Sequence, residues 1–283
     1  MTIAITGATG QLGRLVVNQL KMKSSNEKIV ALVRDREAAS SLGVEARSFD
    51  YETPDKLASA LNGVEVLLLI SSNAIGQRVR QHANVIRAAK EAGVRRIVYT
   101  SLLSADTSPL SLAAEHVQTE ADLKASGVVY TVLRNGWYTE NYTASVPAAL
   151  TNEALYGSAG TGRISSAPRK DYAEAATVVL TTNGHEGKTY ELAGDHAYTL
   201  QELAAEISKQ IGRAIPYVDI PEKSYAEALI EAGVEENFAK AIASWDDGAS
   251  KNALYSSDKS LSKIIGHPTT ALSSSVRVAL AQK

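Results

Sequence analysis

The chain has 283 residues, 45% of them apolar and 21% charged, with a formal net charge of -2 and no cysteine. That length suits one large domain or two modest ones at roughly 100–200 residues each. The balanced charge removes the basic footprint of a nucleic-acid binder, and the lack of thiols excludes disulfides, thiolate metal sites and a cysteine nucleophile.

In chain order, residues 2–6 read as a strand and residues 11–21 as a helix with Leu12, Leu15, Val16 and Leu20 on one face. Met1 leads straight into that strand without a cationic leader, so a cytoplasmic protein is expected. Residues 29–33 form the next strand, followed by a short helix and a strand over 44–49. Residues 54–61 are helical, with Pro54 at the first position and Thr53 placed to cap it. Strands over 64–70 and 96–100 flank a helix over 77–92. The run 64–70 is the most apolar of the chain and far shorter than the about 20 residues that span a bilayer, so no membrane partner is expected. A helix over 111–125 and a strand over 128–134 close the first half. The Gly/Ser-rich stretch 157–167 is a loop with at most one short strand. Then come a helix over 169–180 opened by Pro168 and an alternating strand over 188–194. A capping box, Thr199 to Glu202, launches a helix through 210. One or two helices fall within 221–247, and a last one covers 271–281.

Near-continuous apolar strands alternating with helices are buried on both faces, which means a parallel sheet covered by helices. Right-handed crossovers make it doubly wound. The expected fold is therefore α/β, a doubly wound Rossmann-like parallel sheet with a smaller mixed C-terminal lobe. Residues 1–150 should form the nucleotide-binding part. Residues 151–283 should form a substrate-side lobe interleaved with it in one compact unit.

The segment Gly7, Ala8, Thr9, Gly10, Gln11, Leu12, Gly13 follows the first strand and opens the first helix. That context makes a glycine run a dinucleotide cradle: glycines permit the tight turn, the close approach to pyrophosphate and the close helix–strand packing. N–H groups at the helix start receive the phosphates. The spacing is G-x-x-G-x-x-G rather than the strict G-x-G-x-x-G, and a ligand-free strand–helix turn is the alternative. Arg34, at the end of the second strand, suits the 2′-phosphate of NADP(H), because its planar fork matches phosphate. Asp35 is its rival and would favour NAD.

Ligands of such sheets bind outside the carboxyl ends of the strands. Those ends carry Asp50, which can accept from an adenine amino group, and Ser71, Ser72 and Asn73, small groups along the cofactor ribose. After the strand that ends in Arg134 comes the polar, aromatic segment Asn135, Gly136, Trp137, Tyr138, Thr139, Glu140 and Asn141. It is a candidate wall for nicotinamide and substrate; a structural turn around a buried Trp137 is the alternative.

The stretches ITGATGQLG, LLLISS, YTSLL, SADTSPLSLAAEH, YTVLRNGWYTENY, EGKTYELAG and IGHPTT, spread over nearly the whole chain, resemble the NmrA-like branch of atypical short-chain dehydrogenases. Within it they are most similar to the bacterial NAD(P)H:quinone oxidoreductases of type 2. The resemblance implies NADP(H) along the sheet edge, with phosphate contacts from residues 7–12 and the 2′-phosphate on Arg34. It also implies contacts from residues 71–73 and 136–141 and a further one from Arg169.

The wider superfamily uses a Tyr-x-x-x-Lys pair. Here only Tyr255 and Lys259 have that spacing, far from the strand ends, and the match reads as coincidence. At the expected place stand His116 and Glu120, on one helix face. His116 is a candidate proton donor with Glu120 fixing its tautomer, and an ordinary helix-face contact is the alternative. The five histidines lack metal-ligand spacing, so no metal is expected. A quinone takes hydride without an obligatory enzyme acid, so the expected activity is NADPH-dependent hydride transfer to a quinone or similar conjugated acceptor, without flavin. The alternatives are an NADP(H)-binding redox sensor with little turnover and a reductase of another electrophile, such as a cationic dye. The expected partner is a small quinone, and a homodimer stays open.

Overall fold

The structure, a computed structural model, describes residues 1–23 and 27–281. The chain runs β1 (Thr2–Thr6), α1 (Gln11–Lys23), β2 (Lys28–Val33), a 3-10 turn (Ser40–Leu42), β3 (Glu45–Ser48), α2 (Pro54–Ala60), β4 (Val66–Leu69), α3 (Arg78–Glu91), β5 (Arg96–Leu102), α4 (Ala113–Ser126) and β6 (Val129–Asn135). It continues through α5 (Thr139–Thr143), α6 (Val146–Thr151), β7 (Leu155–Gly157), α7 (Arg169–Thr181), β8 (Thr189–Leu192), α8 (Leu200–Ile211), β9 (Tyr217–Asp219), α9 (Glu222–Glu231), α10 (Glu236–Ser250), α11 (Ser260–Ile265) and α12 (Leu272–Ala281).

Seven strands form one parallel sheet in the order β3-β2-β1-β4-β5-β6-β8. Each strand alternates its side chains between two faces, and both faces are covered. Ile3, Ile5, Val66, Leu68 and Leu133 pack under α1, α7 and α11, against Val16, Leu20, Val179 and Leu261. Ala4, Leu67, Leu69, Ile97, Tyr99 and Val132 pack under α2, α3 and α4, against Leu57, Val85 and Leu123. Strands sealed on both sides read as continuous apolar runs, and each buried aliphatic side chain contributes about 1.5–3 kcal/mol. The chain leaves β1 toward β2 and β3, then returns to place β4 on the other side of β1. This reversal opens a crevice at the carboxyl ends of β1 and β4, where ligands of open α/β sheets bind.

The second half does two jobs. Helix α7 lies against α1, and β8 extends the sheet beside β6 with Leu133 opposite Tyr190. The remainder builds a lobe over the crevice around Leu155, Leu203, Ile207, Tyr198 and Trp245, including a short parallel pair, β7 and β9. The capping box of α8 is formed, with Glu202 N–H donating to Thr199 Oγ1 at 3.1 Å and Thr199 N–H donating to Glu202 Oε2 at 2.8 Å. Thr53 stands before α2 but does not cap it: its hydroxyl donates to the Asp50 carbonyl at 3.0 Å. The turn at Asp50 supplies a nearer acceptor, and Pro54 starts the helix by its fixed φ. Helices α5, α6 and α11, of five or six residues each, and β9 exceed what periodicity can resolve.

Candidate active site

The crevice deepens into a cavity of about 1500 Å³ bounded by the sheet's carboxyl edge on one side and the lobe on the other. Its floor at β1 is the glycine turn. Gly7 has φ +57°, a left-handed conformation that glycine adopts without strain. Its carbonyl accepts from Gly10 N–H at 2.9 Å, closing the turn. A Cβ on Gly13 would strike the backbone of Gly7 and lie 2.7 Å from Ala8 Cα, so only glycine lets α1 start this close to β1. Gly7, Thr9, Gly10, Gln11 and Leu12 face the cavity, whereas the Ala8 side chain is buried behind it.

Arg34 lines the cavity at the end of β2, and Asp50 does so beyond β3. Asp35 points to other work: its Oδ1 accepts from Glu37 N–H at 2.8 Å, in a local turn outside the cavity lining. Arg14, the neighbouring guanidinium, is spent on Thr9 O (2.8 Å) and Ser41 Oγ (3.1 Å). Among the described residues Arg34 makes no salt bridge or side-chain hydrogen bond. These residues fit a nucleotide bearing a 2′-phosphate: an open glycine cradle, a helix N-terminus and an uncommitted guanidinium on the rim.

Past the switch point, Ser71, Ser72 and Asn73 line the cavity on a loop pinned from below. Ser71 N–H donates to Thr100 Oγ1 and Ser72 N–H to His82 Nε2. The segment after β6 forms the facing wall. Gly136 is wedged under Leu192 O and Tyr172 Oη, each 2.9 Å from where a Cβ would sit. The Arg169 guanidinium stacks 4.4 Å over the Tyr138 ring and donates to Asn141 Oδ1 at 2.9 Å. Glu140 accepts the Arg169 N–H with both oxygens, so this carboxylate caps α7 and holds Arg169 on the rim. Gly136, Trp137, Tyr138, Glu140, Asn141 and Arg169 all border the cavity. Thr139 does not; it is buried on Ser166 Oγ at 2.8 Å. Asn135 Oδ1 is buried without a hydrogen-bond partner among the described residues, an acceptor left for a bound group near the wall.

His116 lines the cavity, but its surroundings differ from expectation. Glu120 does not touch it; that carboxylate accepts from Ser101 Oγ and from Arg134 Nε and Nη2. The Arg78 guanidinium can only donate, so His116 Nε2 accepts from Nη1 at 3.4 Å. The proton then sits on Nδ1 and is donated to Tyr99 Oη at 2.7 Å. Burial, and next the Arg78 charge, push the His116 pKa down to about 3. This imidazole is neutral near pH 7 and acts as an acceptor toward Arg78. Tyr255 and Lys259 lie away from the cavity lining, with Lys259 Nζ on the Asp195 carbonyl.

Sequence reasoning missed Arg78, Tyr142, Tyr225, Phe238, Trp245 and Asp246, all of which line the cavity. Trp245 meets Trp137 edge to face at 5.5 Å, giving the lobe side an aromatic lining. Arg78 shares its helix with Arg80 and Arg87, and Trp245 and Asp246 of α10 lie over 100 positions from Trp137 and Tyr142, so neither carried a local signal. Among the described residues no cluster of His, Asp or Glu could hold a metal ion, and no helix is long and apolar enough to cross a membrane.

The sheet, the cradle and the joined aromatic pocket define a dinucleotide-binding α/β protein of the reductase class. The chain belongs to the NmrA-like family, whose profile matches residues 1–274. It is 55% identical over 277 residues to Quinone oxidoreductase 2 of Escherichia coli (strain K12), covering 97% of both chains. The crystal structure of an NADPH-dependent quinone oxidoreductase from Escherichia coli complexed with NADPH superposes with a TM-score of 0.95. That match has 54% identity over 98% of this chain and 99% of that one. Triphenylmethane reductase from Citrobacter sp., complexed with NADP(H), gives a TM-score of 0.95 at 38% identity, covering 99% of this chain and all of that one (100%).

Proposed function

We infer that the chain is an NADPH-dependent reductase that passes hydride directly to a quinone or a similar conjugated acceptor. The observation that carries this reading is the continuity of one cavity from the glycine turn and Arg34 to the aromatic wall formed by Trp137, Tyr142 and Trp245. NADPH supplies the hydride when bound. The turn at residues 7–12 and Arg34 bind its phosphates, residues 71–73, 136–138, 140 and 141 hold its nicotinamide half, and Arg169 closes the rim. The aromatic wall receives a flat acceptor and excludes water. The protein thereby brings donor and acceptor into a near-attack arrangement. Neutral His116 supplies no proton; the reduced acceptor takes its proton from water.

The test is to mix the purified chain with NADPH and a panel of quinones and follow the absorbance of the reduced nicotinamide. Tight NADPH binding without turnover of any acceptor would replace the enzyme by a redox sensor. Arg34→Ala should weaken NADPH by about 1.5–3 kcal/mol, the scale of a hydrogen bond to a charged group, and leave NADH nearly unchanged. Equal losses for both coenzymes, measured by calorimetry, would remove Arg34 from the 2′-phosphate.

Asp246 favours a second acceptor class. Its carboxyl accepts from Tyr142 Oη at 3.0 Å and Ser158 N–H at 2.9 Å, and burial pushes its pKa up to about 6. Above pH 6 a buried carboxylate on an aromatic wall attracts a planar cation. Turnover of a cationic dye should fall as pH drops through 6 and in Asp246→Asn, with neutral quinones little affected. An unchanged dye KM in the variant would exclude this contact.

A further inference from the structure

We propose that Arg78 is a catalytic residue, the positive charge that receives the anion formed when the acceptor is reduced; this rests on the quinone-reductase reading above. Its guanidinium is buried, with the residue 8% exposed, yet it lines the cavity. Nε donates to the Ser72 carbonyl at 2.5 Å and Nη1 to His116 Nε2 at 3.4 Å. Nη2 has no protein partner among the described residues and is not sealed from the cavity. Neither partner carries a charge, and burial lowers the guanidinium's own pKa.

The neighbouring carboxylate is otherwise engaged. Glu115 accepts the backbone N–H of Gly76 at 3.1 Å and of Arg78 at 3.0 Å, and it makes no salt bridge to the guanidinium. Arg134, a guanidinium at the end of β6, has three carboxylates within 2.9 Å: Asp106, Glu120 and Glu191. It is neutralised and lies outside the cavity lining. Arg78 is thus a desolvated cation whose guanidinium is held by two neutral acceptors; Glu115 acts on it only through space, and among the described residues no carboxylate bonds it directly. A fixed cation in a low-dielectric site acts most strongly where negative charge develops during reaction.

Its position fits that role. Arg34 and Asp50 mark the adenine end beside β2 and β3, whereas Arg78 is tied to Ser72 after β4 and to His116 on the helix after β5. That is the nicotinamide side of the switch point. When a neutral quinone accepts one hydride it gains two electrons and one hydrogen, and the nicotinamide is oxidised. One quinone oxygen becomes a hydroxyl, still bound to the ring, and the other holds the negative charge until water supplies a second proton. Nη2 of Arg78 is the donor for that second oxygen. A guanidinium stays protonated throughout, so it stabilises the anion without consuming it.

Arg78→Met and Arg78→Lys test the proposal against the unaltered chain, with two readouts. The first is kcat and KM for a neutral naphthoquinone at saturating NADPH, alongside the NADPH dissociation constant. The second needs no turnover: binding of a hydroxynaphthoquinone, anionic at neutral pH, against its neutral parent, with oxidised cofactor present. Arg78→Met should lower kcat about 100-fold, the usual cost of one oxyanion donor. It should also weaken the anion at least about 10-fold, with NADPH and the neutral parent unchanged. Arg78→Lys should recover part of both losses, and it keeps the test open if the methionine variant fails to fold. Equal weakening of anion and parent would make Arg78 a support for the Ser72 loop and overturn the proposal. So would an NADPH dissociation constant rising in step with the loss of kcat, or an unchanged kcat. If the unaltered chain reduces no quinone yet prefers the anion through Arg78, the quinone reading fails while the anion site stands.

Discussion

Taking the chain from pH 7 to pH 5 should remove on the order of 4 kcal/mol of folding stability through His82 and His116 alone, about 2 kcal/mol each. Both imidazoles are buried, and burial followed by the Arg78 charge pushes each pKa down to about 3, from an ordinary value near 6.5. Both are locked in one tautomer. Ser72 N–H can only donate, so His82 Nε2 accepts and Nδ1–H donates to Thr119 Oγ1 at 2.9 Å, while His116 accepts from Arg78 and donates to Tyr99. A proton on either Nε2 would oppose a donor and stand beside the guanidinium. The folded chain therefore refuses protons that the unfolded chain binds below pH 6.5. Stability is full above that value and falls by about 1.4 kcal/mol per histidine per pH unit as the pH drops toward 3. Urea titrations at pH 7, 6 and 5 measure the slope. His82→Gln combined with His116→Gln keeps an acceptor and a donor at each place without a titrating group. That double variant should flatten the slope between pH 6.5 and 5 whatever its absolute stability; an unchanged slope would assign the acid sensitivity to other groups.

Gly13→Ala should be the most damaging single methyl in the cofactor turn, costing about 3 kcal/mol or more and weakening NADPH at least 10-fold. The added carbon meets backbone, Gly7 O and Ala8 Cα, so no side-chain rotation relieves it. Either α1 withdraws from β1, moving the N–H groups meant for phosphate, or the turn at Gly7 closes. Gly10→Ala is the control: its Cβ would lie 3.1 Å from Gly7 O, a contact that a few tenths of an ångström relieve. Thermal unfolding with and without NADPH separates the two. Equal losses in both variants would refute the steric argument.

The residues that line the cavity from the sheet's carboxyl edge were legible for a simple reason. A parallel sheet delivers all its strand ends to one edge, so finding the strands found Arg34, Asp50 and residues 71–73 together. The glycine turn was legible because its constraint is local, from Gly7 to Gly13. Partners were not. Glu120 shares a helix face with His116, which suggested a pair. The Arg134 guanidinium, fourteen residues on, offered that carboxylate two hydrogen bonds, and Tyr99 took the histidine instead. Helical spacing states which groups are neighbours on one element. It does not state which stronger partner another strand brings within reach.

By itself the sequence determined the doubly wound sheet, its crevice and the tight glycine turn at its floor, since alternation of apolar strands with helices and the needs of a tight turn are written in consecutive residues. Only the tertiary structure decided the chemistry of the far end. It brought Asp246 to Tyr142, set Trp245 edge-on to Trp137, and placed the Arg78 guanidinium between Ser72 and His116 with no carboxylate bonded to it among the described residues. Two of those pairings join segments more than 100 residues apart, and their energies depend on burial, which exists only once the whole chain has packed.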